Sequence, residues 1–301
     1  MKFSHSFTSI LAVSLCHVMW AEAIADAPSL RWRFKESQTI DAQIHQKRQT
    51  QFTLSDGHEV DSTIESTVFA TWTWSRVNDR DATVTLTTKK IRWNWLVRGR
   101  EESSTPVDTS LTYDADAIQR IYVEQLSPLI GASITFHLYS DGTTSNWDLG
   151  NAASISIADP MLRKGGVLPG DLQQTLRSLL PEMEGSSRKI GAKWIATTKS
   201  RVPPYLSTQT VEHTIESEDD GEYVIKTNGK VELTKANTSA TVSDSLEGEV
   251  IFSEPLGRIR KSKQSNRVTF PAGFSAGPTL HTKNVVILQL GNDVLASGDE
   301  P

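Results

Sequence analysis

The stretch from Val68 to Val97 constrains the fold more than any other. It carries two Trp-x-Trp pairs, Trp72/Trp74 and Trp93/Trp95, on two extended runs joined by the polar segment Asn-Asp-Arg-Asp. Alternate residues of a strand point to opposite faces. Val68, Ala70, Trp72 and Trp74 therefore share one face, and Thr71, Thr73 and Ser75 share the other. The return run starts with its apolar residues on even positions, Val84 and Leu86, and ends with them on odd positions, Ile91, Trp93, Trp95 and Val97. A face changes parity only through an extra residue, so the sequence predicts a β-bulge between Thr88 and Lys90. A three-residue turn at Asn78 to Arg80 then sets Trp74 opposite Val84 and Trp72 opposite Leu86. Beyond the bulge, Trp93 falls beside Ser66 and Trp95 beside Ile64. A two-residue turn would oppose both indoles to threonines and bury polar groups.

The rest of the chain supplies the partners of this hairpin. Leu30, Trp32 and Phe34 alternate as a first strand, followed by long strands at Thr39 to Leu54 and Glu59 to Val77 around the turn Ser55-Asp56-Gly57-His58. Strands of this length must twist and coil. Glu101 to Thr112, with Pro106, reads as a loop. Asp114 is placed to cap a helix with the stripe Ile118, Ile121, Tyr122, Leu126 and Leu129. Ile134 to Leu138 is a strand that turns at Ser140-Asp141-Gly142 toward Trp147. Residues 150–169 carry little pattern. Asp171 with Gln174 resembles a capping box before the stripe Leu172, Leu176 and Leu179. A second β series runs from Lys193 through Leu206–Glu216, Glu222–Leu233, Leu246–Ser253 and Arg258–Phe270. Val285–Leu290 ends it, apolar on both faces and hence interior. Pro271 to Pro278 reads as a loop.

The expected organisation is a signal peptide at 1–25, a first β unit at 26–150 with a helix near 115–128, and a linker at 151–192 with a helix near 171–180. A second β unit at 193–290 and a flexible tail at 291–301 complete it. Both β series open on a Trp-containing strand, at Trp32 and Trp194, as a duplicated unit would. The fold class is mainly β (α+β): long, curved antiparallel sheets, half-barrel-like, with two helices packed on them.

Lys2 followed by the apolar run Ile10–Trp20 and the small-x-small site Ala23-Ile24-Ala25 reads as a secretory signal cleaved after Ala25. The single cysteine, Cys16, lies inside that signal, behind Leu15 where a lipoprotein signal needs a small residue. The mature chain would then lack disulfides and thiolate chemistry, which fits a bacterial periplasm or cell envelope. A net charge of −5 gives no electrostatic footprint for nucleic acid. No later stretch is apolar enough for a transmembrane helix.

Two stretches carry a resemblance. Leu129-Ile130-Gly131-Ala132 precedes a strand and Ser140-Asp141-Gly142. Leu180-Pro181 precedes Lys189-Ile190-Gly191-Ala192-Lys193-Trp194. Together they resemble a family of exported bacterial proteins known only as a domain of unknown function, which supplies no catalytic residues. More loosely, the long curved strands with two helices are similar to the half-barrel of lipoprotein carriers and lipid-binding envelope proteins.

Few chemistries find support in the residues. His45, His58, His137, His213 and His281 form no His-x-x-x-His or His-x-His pair, and no nucleophile elbow or phosphate-cradling glycine loop occurs. No metal, cofactor or catalytic residue is expected, and the balance leans against an enzyme. Gly165-Gly166 reads as loop punctuation, Asp219-Asp220 and its acidic neighbours as a solvated turn, and Arg258, Arg260, Lys261 and Lys263 as a basic sheet edge. The reading is a non-enzymatic exported protein with a lipid or other hydrophobic ligand on a concave apolar face lined by some of Trp72, Trp74, Trp93 and Trp95. A solid-core scaffold that binds an envelope protein is the alternative, and a hydrolase with a dispersed site stands behind both.

Overall fold

The structure is a computed structural model, and it describes residues 30–54, 56–99, 103–110, 117–183, 189–202, 205–235, 241–270 and 279–291. The signal peptide, the Asp114 cap, the loop at 271–278 and nearly all of the tail lie outside these residues. Twelve strands form one antiparallel sheet: β1 (Thr39–Thr53), β2 (Glu59–Ser75), β3 (Asp81–Arg98), β4 (Ser103–Asp108), β5 (Ser133–Tyr139), β6 (Thr144–Asp148), β7 (Lys193–Val202), β8 (Tyr205–Asp219), β9 (Glu222–Lys235), β10 (Thr241–Ser253), β11 (Arg258–Phe270) and β12 (Leu280–Leu290). The helices are α1 (Ala117–Leu126), α2 (Pro160–Lys164) and α3 (Pro169–Leu179).

The strand order is β6-β5-β3-β2-β1-β12-β11-β10-β9-β8-β7, with β4 paired to β3. The two β series are therefore halves of one sheet, joined where β1 pairs with β12 from Ala42/Leu290 to Phe52/Leu280. The sheet is open, yet its edges come close. The segment 180–183 spans the seam: Met183 N donates to Asp141 O in the β5–β6 turn (2.5 Å), and Trp194 Nε1 on β7 donates to Glu182 O (2.6 Å). Gly142 has φ +87°, and a Cβ there would overlap the Pro181 carbonyl, so this crossing needs glycine.

The central hairpin has the expected register. Trp74 pairs with Val84, Trp72 with Leu86, Trp93 with Ser66 and Trp95 with Ile64. Phe69 opposes Lys90 and Ala70 opposes Thr88, so Lys89 is the extra residue that switches parity. Trp72, Trp74 and Trp93 are buried to 2% exposure or less. Trp72 lies edge-on to Phe136 (5.4 Å between centroids) and Trp74 (6.3 Å), and stacks on Trp32 (6.5 Å). Over this face α3 lays Leu172, Leu176 and Leu179, all buried.

Several expectations are corrected. Leu30 to Phe34 is not a strand. Leu30 and Trp32 are buried, but Trp32 N donates to Ser140 O and Arg33 N to Gly257 O, so the segment ties two hairpin turns together. Alternation reports which side is buried, not whether a ladder forms. The Pro106 segment is strand β4, tolerated because β4 lies off the main path of the sheet, beside β3. Ile118 and Ile121 are exposed, at 59% and 56%, because α1 packs by its C-terminal half, through Tyr122 against Trp93 and through Leu126. Asp171 caps nothing: the cap position of α3 is Leu168, with Pro169 following. Arg258 to Lys263 lie on β11, an interior strand rather than an edge, and Arg260 pairs with Glu222. Residues 150–169 do contain structure, a 3₁₀ turn at Gly150–Ser154 and α2.

Candidate functional site

The concave face is not uniformly apolar. One row of strand partners runs from Trp194 through His213, Thr227, Gly248, Gln264, Val286, Gln46 and Ser66 to Trp93. Polar groups thus cross a face that is otherwise core. On β1 and β2 the protein satisfies them. Gln46 Nε2 donates to Gly166 O (3.1 Å) and Thr175 Oγ1 (3.2 Å), and Ser66 Oγ donates to Gly165 O (2.6 Å). The two glycines permit this approach, since a Cβ on Gly165 would meet the Trp93 ring and one on Gly166 would overlap Gln46. They are contact points and not mere punctuation. One row further on, Arg48 Nε donates to Asn284 Oδ1, and Asn284 Nδ2 to Asn266 Oδ1, both at 3.0 Å. Burial lowers the pKa of Arg48 and raises that of Asp171, each shift opposed by the other's charge.

On β7 to β11 the same face borders a cavity of about 320 Å³ at the seam. Its walls are the end of α3, the segment 180–182, Gly142 and Thr144 from one sheet edge, and Ala196 to Lys199 from the other. His213 is buried, stacks on Trp194 at 5.1 Å and 24°, and places Nδ1 3.0 Å from Thr227 Oγ1. Burial depresses its pKa to about 4, so the ring is neutral near pH 7. Arg177 holds its guanidinium 5.2 Å over Trp147, which stacks on Phe136 at 4.1 Å. Burial lowers the Arg177 pKa somewhat, but the group stays cationic. Ser262 and Gln264, 2% and 9% exposed, make no side-chain hydrogen bond among the described residues.

None of Trp72, Trp74, Trp93 and Trp95 borders this cavity. The structure gathers all four on one side of the sheet, three as packed core and Trp95 half-buried, with Nε1 donating to Ser62 Oγ at 3.0 Å. Of the cavity residues, His213 appears in the sequence only as an unpaired histidine, and Arg177, Ser262 and Gln264 are not candidates there. Their signal was polarity at inward positions: His213 shares parity with Val211 and Ile215, and Gln264 with Val268. A larger opening, about 600 Å³, lies at the far ends of β1, β2, β11 and β12. It is lined mainly by polar and charged residues, among them Asp61, Arg98, Arg267 and Lys283.

These features define a mainly β protein whose single open sheet curls around a core and a small polar cavity. No family model matches the chain, and no curated protein does, so the likeness to an exported family of unknown function has no matching model behind it. Among solved structures, lipovitellin, in a study titled for its lipid–protein interactions, matches with a TM-score of 0.51 and 9% identity. The match covers 89% of this chain and 27% of that one, so the chain spans about a quarter of its length and shares its fold alone. An outer-membrane channel from Pseudomonas putida F1 aligns at 9% identity over 87% of this chain and 98% of the other, with a TM-score of 0.23. DynF, from the dynemicin biosynthesis pathway of Micromonospora chersina, aligns at 9% identity over 89% and 86%, also with a TM-score of 0.23. Neither of these two carries an argument. Among the described residues no helix is long and apolar enough to cross a membrane.

Proposed function

We propose that this chain is a non-enzymatic, exported protein of the bacterial cell envelope that holds a lipid-like molecule on the concave side of its sheet. One observation carries the reading: the seam cavity combines polar walls with an apolar one. Ala196 and Val211 belong both to its wall and to a buried cluster with Val231, Val242, Leu246 and Val268. A polar chamber with aliphatic side chains in one wall matches an amphipathic ligand. The lipovitellin-like fold and the N-terminal signal pattern support the same reading. The proposed position differs from the one expected from the indoles: the cavity borders the β7 to β11 half of the face, and Trp72, Trp74 and Trp93 are packed on the other half. Native mass spectrometry and organic extraction of protein purified from its own host test it. A co-purifying lipid is expected, and a ligand-free protein from a host rich in envelope lipid would remove the carrier.

A second reading, a solid-core scaffold for an envelope protein, draws on the packing of Trp32, Trp72, Trp74 and Phe136 into one continuous cluster. Pull-down from envelope extract separates the two: a scaffold retains a stoichiometric protein partner after complete delipidation, and a carrier does not.

A further inference from the structure

We infer that the seam cavity binds an anionic oxygen group, a phosphate or carboxylate, with Arg177 as the main donor and Ser262 and Gln264 beside it. The inference rests on the carrier reading above and deepens it by naming the head-group chemistry.

The polar row across the concave face supplies the first step. On β1 and β2 its members are closed off by the backbone at Gly165 and Gly166 and by Thr175. On β11 the corresponding groups, Gln264 and its inward neighbour Ser262, are nine-tenths buried or more and have no partner among the described residues. Their polar atoms face the cavity, where water or the oxygen atoms of a ligand can take up their hydrogen bonds.

Charge supplies the second step. The Arg177 guanidinium has one face against Trp147, which fixes its plane and leaves its edge donors for a fork-like pairing with two oxygens. It forms no ion pair among the described residues. Lys199 and Lys263 alternate with the inward residues and are exposed, so their charges face away from the cavity, and Glu182 is the one carboxylate among its described lining residues. The C-terminal end of α3 opposes an anion with roughly half a unit of negative charge. The preference for an anion therefore rests on the paired edge donors of Arg177 and not on net charge, and neutral His213 adds nothing on either side. Ala196 and Val211 supply an apolar wall of the same cavity for the first carbons of a lipid tail.

Isothermal titration calorimetry on the purified, delipidated protein compares dihexanoyl phosphatidate, dihexanoylglycerol and inorganic phosphate. Phosphatidate should bind about tenfold or more above the neutral lipid, and more weakly as sodium chloride is raised. Arg177→Gln should cost about tenfold in phosphatidate affinity and leave dihexanoylglycerol binding unchanged. Gln264→Leu repeats the test should the first variant fold poorly. Equal binding of the two lipids overturns the anion site and leaves the carrier standing. Phosphate binding as tightly as phosphatidate supports the anion site but assigns it to a free anion, which removes the carrier. Absence of binding by all three probes overturns both.

Discussion

Truncating Trp72 to alanine measures how solid the sheet's Trp side is. Its indole is fully buried and touches Trp32, Trp74 and Phe136. A tryptophan buries about 150–250 Å², and at about 25 cal/mol per Å² that is about 4–6 kcal/mol gross. Residual burial in the unfolded chain removes about 10–40% of it. Edge-on aromatic pairs with Phe136 and Trp74 each add about 0.5–1.5 kcal/mol. Against this, Nε1 has no hydrogen-bond partner among the described residues, a cost of about 1–3 kcal/mol that the native ring already carries. Trp72→Ala should therefore lose about 3–5 kcal/mol, in line with large-to-small core changes. Trp72→Phe keeps ring contacts and sheds the unpaired N–H, so it should lose under about 2 kcal/mol. Urea unfolding reads both as shifts in midpoint at constant slope. A loss below about 1 kcal/mol for Trp72→Ala would refute the packed core. So would a phenylalanine variant as damaged as the alanine one, since the N–H would then have a partner.

Further outcomes follow from single contacts. Gly165→Ala places a Cβ 2.5 Å from Trp93 Nε1 and 3.1 Å from Leu162 O, and should destabilise by about 1–3 kcal/mol in the same urea assay. Gly170→Ala, where a Cβ meets nothing within 4 Å, should be neutral or stabilise α3 by about 0.5–1 kcal/mol. His213 has a folded pKa of about 4, below its unfolded 6.5, so the unfolded chain takes up the proton first. Stability therefore falls as pH drops from 6.5 toward 4, by up to about 3 kcal/mol from this residue. His213→Gln should flatten that part of a stability–pH curve, leaving the smaller effect of His45, whose pKa is also lowered by burial. N-terminal sequencing of protein from a periplasmic fraction should begin at Asp26, and an intact Met1 in the cytoplasmic fraction would remove the export proposal.

The Trp hairpin was legible in the sequence because it poses a parity problem with one solution. Its apolar residues change from even to odd positions, only an inserted residue reconciles the two runs, and Lys89 is that residue. The pairing of β1 with β12 was not legible. These strands lie far apart in the chain, and both read as interior or half-buried strands with no signal for a partner. The cavity was hidden for a related reason. Gln46 and Gln264 look alike in sequence, polar residues on inward positions, and belong to one row of the sheet. What separates them is what lies above each: the backbone at Gly166 meets Gln46, whereas the seam leaves Gln264 open. That difference arises where the two sheet edges approach across residues 180–183, a contact between ends of the strand order that no local pattern encodes. The indoles are the most conspicuous side chains of the sequence, but large rings fill space, and a chamber persists where side chains are small and polar. On this sheet that is the half built of Ser262, Gln264, Gly248 and Thr227.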